Sequence, residues 1–94
     1  MNVKLERSNR KHKKWKVSFD NNTTVHFGDD RFEDYTIHKD KHRKKRFLDR
    51  FAQQDENDYT KPYFWSRWLL WNKSTLEKSI DDIRKRMGIK VHRD

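Results

Sequence analysis

Residues 38–46, HKDKHRKKR, hold six lysines and arginines against one aspartate. Fixed cations at that density suit phosphates or an acidic protein surface. On a helix the run extends about 13 Å at ~1.5 Å per residue, enough to follow several phosphates. Like charges four apart, Lys39/Arg43 and Lys41/Lys45, each destabilise an isolated helix by a few tenths of a kcal/mol. A polynucleotide or an acidic partner reverses that penalty. The bland alternative is a solvated face neutralised by Asp29, Asp30, Glu33 and Asp34, or by the acidic residues of 55–58.

Arg7, Arg10, Lys11, Lys13, Lys14 and Lys16 form a second basic cluster. Two clusters make a polyanionic partner a stronger expectation than either does alone. The expected contact residues are Lys39, Lys41, Arg43, Lys44, Lys45 and Arg46 on the helix. Arg10, Lys11, Lys13 and Lys14 are those expected on an N-terminal arm. The string KHRKKR also fits a nuclear-localisation signal, a pattern common in basic proteins.

Other chemistry is less well supported. His38 and His42 stand four apart, as in a helical metal pair, but no third ligand is evident and the flanking cations oppose a dication. DDRFED, residues 29–34, could be imagined as the carboxylate cluster of a metal-dependent nuclease acting through Asp29, Asp30 or Glu33. Acidic residues ahead of a helix more often cap it and meet its dipole, so no cleavage is expected. There is no cysteine, P-loop or nucleophile elbow. The expectation is a non-enzymatic protein with no metal and no cofactor.

The elements that must carry these cations are few. The chain has 94 residues, a formal charge of +9, 41% charged residues and 31% hydrophobic residues. Leu, Ile, Val and Phe total nineteen, about one fifth of the chain and close to the composition of disordered proteins. Thirteen aromatic residues offset this, because each ring buries roughly 150–250 Å² when it goes inside. The absence of cysteine fits a reducing compartment. No apolar run is long enough for a signal peptide or a membrane span.

FWSRWLLWN, residues 64–72, holds three of the four tryptophans. Exposed, such rings could stack on single-stranded bases. The chain has little else to bury, so the block is expected to be core. Trp65 or Trp71 is the candidate for partial exposure at an interface.

Trp15, Val17 and Phe19, and then Thr23, Val25 and Phe27, alternate with polar residues around DNNT. This pattern predicts a β-hairpin. A helix is expected near 35–53, capped by Asp34 or Thr36. A second, near 63–71, starts at Pro62, and a third, near 75–87, opens on the capping box STLE and ends at Gly88. Residues 89–91 are available as a third strand. The expected fold is α+β: an N-terminal β-hairpin packed against three helices. Residues 1–14 are expected to form a basic arm, and 15–94 a single small domain.

TVHFG (24–28), DYTIHKDKHRKKR (34–46) and FWSRWLLWNKSTLEKSIDDIRKR (64–86) together resemble a family of small basic proteins of nucleocytoplasmic large DNA viruses, the giant viruses of algae and amoebae and their relatives. The resemblance spans roughly 15–91 and departs at the DENDYTKPY loop. It implies a virion or a cytoplasmic viral factory, and it carries over no catalytic or ligand residues. The resulting expectation is a minor capsid protein, part of a larger assembly, that binds acidic surfaces of viral coat proteins through its basic patches. The alternative is a nucleic-acid-binding protein using the same cations on phosphates. Virion and host cytoplasm are the expected locations, with the nucleus a further one.

Overall fold

A computed structural model describes residues 1–93. The element order is β1 (Asn2–Arg7), β2 (Lys13–Ser18), β3 (Thr24–Asp29), α1 (Tyr35–His38), α2 (Lys41–Arg50), α3 (Pro62–Trp65), α4 (Leu76–Met87) and β4 (Lys90–Arg93). A π-helical segment, Ser66–Leu70, continues α3. The strands form one sheet in the order β3-β2-β1-β4, with α3, the π-helical segment and α4 packed on it. The fold is α+β. No described helix is long and apolar enough to cross a membrane.

The expected hairpin is β2–β3, in the register Trp15↔Phe27 and Val17↔Val25. Residues 1–14 are not an arm. Val3 and Leu5 alternate with Asn2, Lys4 and Glu6, and both are buried. Burying them makes β1 an interior strand, antiparallel to β2 and parallel to β4. The C-terminal strand therefore joins β1 at the edge of the sheet opposite β3.

The helix expected over 35–53 is broken in two. Lys39 adopts a left-handed conformation with φ 56° and ends α1, its backbone N–H donating to the Tyr35 carbonyl. Asp40 then caps α2, its side chain accepting from the amides of His42 and Arg43. A straight helix would have lacked an apolar stripe through 38–46. The break lets α2 lean on its C-terminal half, where the Phe47 ring stacks on Trp71 at 4.3 Å and Phe51 and Tyr63 close around it.

The aromatic block is core. Trp65 and Leu69 are fully buried, with Phe64, Trp68 and Leu70 nearly so, against Val3, Leu5, Val17, Phe27, Ile83 and Ile89. Trp71 is the ring left half-exposed, and Trp65 is not. Both buried indoles find acceptors in the acidic loop: Trp65 Nε1 donates to the Tyr59 carbonyl and Trp68 Nε1 to that of Glu56, each at 2.8 Å. Helix α4 begins one residue later than the STLE box suggests. Thr75 is its cap, accepting from the Lys78 amide, and Glu77 pairs with Arg93 of β4 instead of reaching back.

Gly28 has φ +78°, and a Cβ added there would lie 2.8 Å from Leu70 Cδ1 and 3.3 Å from Lys14 Cβ. Leu70 is 2% exposed and has nowhere to retreat. Gly28→Ala is therefore expected to cost about 1–3 kcal/mol, combining left-handed strain with overpacking. A chemical-denaturation midpoint equal to that of the wild type would contradict this.

Candidate polyanion-binding site

The strand alternation that buries Val3, Leu5, Val17 and Phe27 turns Lys4, Glu6, Lys16, His26 and His92 to the other side of the sheet. In the hairpin register Lys16 stands directly across from His26. The β1–β2 loop folds back toward the same place. Its Lys13 amide donates to the Arg10 carbonyl, and His12 takes a positive φ of 64° to complete the turn.

Ser8 ties this loop to β3, its Oγ standing 2.7 Å from His26 Nδ1 while accepting from the Arg10 amide at 3.0 Å. Partial burial, and then the charges of Arg10, Lys16 and Lys13, hold the His26 imidazole below its ordinary pKa. These three cations therefore share the surroundings of one neutral ring.

The expected contact residues divide sharply. Lys14 is buried against Asp34 at 2.6 Å and belongs to the fold. Lys44 donates to the Asn72 carbonyl at 2.6 Å and lies over the Tyr35 ring; burial, then the charges of Arg67 and Lys73, lowers its pKa. Lys39 is held by the Ser74 carbonyl. Arg43 faces Glu33 at 3.7 Å, and Lys45 faces Asp49 at 3.0 Å. Arg10, Lys11, Lys13, Lys41 and Arg46 have no ion-pair partner among the described residues. The same is true of Lys16.

Arg84 and Lys85 share Asp81, Arg86 meets Asp82, and Arg67 meets Glu56. On α2, Arg43 and Lys45 are thus neutralised within the fold and Lys44 is held against it, while Lys41 and Arg46 stay without an ion-pair partner among the described residues; Arg10, Lys11, Lys13 and Lys16 are likewise unpaired and fall together within residues 10–16.

Ser8 and His26 were not among the expected site residues, and Lys16 was named only as an extension of the cluster. The hairpin register carried the signal for Lys16 and His26, since pairing Trp15 with Phe27 sets those two opposite each other. No local pattern marked Ser8, eighteen residues from His26.

The other candidate chemistries do not assemble. His38 lies in α1 and His42 in α2, so the break removes their shared helical face. His38 packs between Tyr35 and Trp71 and accepts from the Asp40 amide. In 29–34 each carboxylate answers a different side chain: Asp29 meets Arg31, Asp30 meets His12, Glu33 meets Arg43 and Asp34 meets Lys14. No three His, Asp or Glu side chains come together as a metal site among the described residues.

The fold and this site define a small basic α+β domain whose sheet carries helices on one face and a crowd of unpaired cations at its β1–β2 end. The chain belongs to the family of unknown function DUF5754, and the match covers residues 3–51. That stretch contains β1 to β3 with the whole cation cluster, and α1 and α2. No curated protein and no solved structure matches the chain.

Proposed function

We propose that this protein is a non-enzymatic nucleic-acid-binding module that holds backbone phosphates on Arg10, Lys11, Lys13 and Lys16. The observation that carries this reading is the clustering of charge: these four cations fall within residues 10–16, none has an ion-pair partner among the described residues, and Arg10, Lys13 and Lys16 all act on the one His26 ring. Crowding Arg10, Lys13 and Lys16 around His26 costs folding energy through mutual repulsion, and a nucleic acid relieves it as its phosphates exchange condensed counterions for these cations. Lys41 and Arg46 supply further unpaired charge on α2. Given the likeness to proteins of large DNA viruses, the nucleic acid we propose is viral DNA, in the factory or in the virion.

Binding to short duplex DNA through four to six phosphates is expected to weaken with salt at a log–log slope of roughly −4 to −5. The combined substitution Arg10→Ala, Lys13→Ala, Lys16→Ala should bring that slope about 2.7 units closer to zero, at about 0.9 per contact. Arg43→Ala with Lys45→Ala, which removes cations already paired, should leave the slope unchanged. Binding that is absent or indifferent to salt would overturn the proposal.

A second reading has its own support. Phe32 and Ile37 are 67% and 52% exposed in the segment leading into α2. Apolar side chains beside cations suit a protein partner, and the minor-capsid proposal places an acidic face of a coat protein there. Retention of purified coat protein that is lost on Phe32→Ser with Ile37→Ser, without DNA binding, would select this reading.

A further inference from the structure

We infer that Ser8, Arg10, Lys13, Lys16 and His26 form a single phosphate seat, and that a nucleic-acid phosphate enters it together with one proton taken up by His26. This inference rests on the nucleic-acid reading above and deepens it.

The geometry supplies the mechanism. His26 Nδ1 and Ser8 Oγ are 2.7 Å apart, and Ser8 Oγ already accepts from the Arg10 amide. With a neutral ring, the Ser8 hydroxyl donates its hydrogen to Nδ1. When a proton from solvent arrives at Nδ1, the bond reverses and the ring donates to Ser8 Oγ. The hydroxyl hydrogen is then released to point outward and can donate to a phosphate oxygen. Nε2 carries a hydrogen in both states and is a second donor to the anion.

Every neighbouring charge bears on the exchange. Lys16 stands across from His26 on β2, and the charges of Arg10, Lys16 and Lys13 all disfavour the imidazolium while the seat is empty. Glu6 stands beyond Lys16 on β1 but lies 3.6 Å from Lys4. His12 at the end of the loop lies 3.5 Å from Asp30. A phosphate placed among the three cations cancels the repulsion that keeps His26 neutral, so binding and protonation favour one another. The sign follows directly. The free ring titrates below its ordinary pKa and the occupied ring above the free value, so affinity rises as pH falls through the interval between them.

The test uses the whole protein and short duplex DNA at fixed ionic strength. Affinity is expected to rise about five- to tenfold from pH about 8 to pH about 5.5. His26→Gln should reduce that rise to less than about twofold. His92→Gln, at the opposite edge of the sheet and bonded to Asn2, should keep all of it. In the unmutated protein, the His26 imidazole resonances should titrate about one pH unit higher with DNA present than without it. This arm does not depend on any variant folding. Salt-dependent binding with a flat pH response, a rise that survives His26→Gln, or unchanged His26 titration would overturn the seat while leaving the nucleic-acid reading in place. No DNA binding at any pH would overturn both.

Discussion

Trp65→Ala is expected to remove most of the stability of this domain. The indole is fully buried, with its centroid 4.8 Å from the Phe64 ring, 6.1 Å from Phe19 and 6.5 Å from Phe27. Removing it deletes the largest buried side chain between the hairpin and α3, and leaves a cavity that the surrounding rings cannot fill. It also removes the donor to the Tyr59 carbonyl that holds the acidic loop. Such truncations cost about 3–5 kcal/mol, and a domain this small has a total stability near the low end of about 5–15 kcal/mol. Circular dichroism with urea titration would show the loss. Trp71→Ala, which removes a half-exposed ring from the face of Phe47, should cost clearly less. If the two variants had equal midpoints, Trp65 would not be the centre of the core.

The second large effect comes from a pair of charges. Lys14 Nζ lies 2.6 Å from Asp34 Oδ2, with the two side chains 9% and 4% exposed. Asp34 also accepts from the Thr36 amide at 2.9 Å and from its hydroxyl, so one carboxylate caps α1 and neutralises a buried lysine. Asp34→Ala strands the ammonium and removes the cap, and is expected to cost about 3–5 kcal/mol. Lys14→Met keeps the apolar stem and leaves Asp34 its two bonds from Thr36. It should therefore cost less, and the double variant should cost less than the sum of the two single ones. A denaturation experiment giving under about 1 kcal/mol for Asp34→Ala would return Lys14 to the free surface cations.

Much of this architecture was legible in the sequence, and the failures have physical causes. The hairpin, Pro62 at the start of α3 and Gly88 at the end of α4 all followed from local stereochemistry, as did a cap at Asp34 or Thr36, of which the fold uses Asp34. So did the burial of the aromatic block, because no other residues could fill the space. β1 was hidden by charge. Its alternation Asn2-Val3-Lys4-Leu5-Glu6 carries only two apolar residues, and the basic cluster just beyond it suggested an arm. The break at Lys39 was obscured because a left-handed lysine has no residue signature. The basic patches were legible as totals only. Which cations remain free depends on which carboxylates the fold brings to them, and Lys14 and Lys44 are spent on interior contacts that composition does not reveal.

The parallel pairing of β1 with β4 sets Val3 beside Val91. During translation, β1 and the β2–β3 hairpin leave the ribosome long before β4 is made. The nascent sheet must wait with one flank of β1 open and Val3 and Leu5 not yet roofed by α4. Chain closure between such distant residues is slow, and an unpaired strand flank invites association with other chains. For this protein the hazardous interval ends only when residue 91 emerges, which makes the last strand the latch on the first.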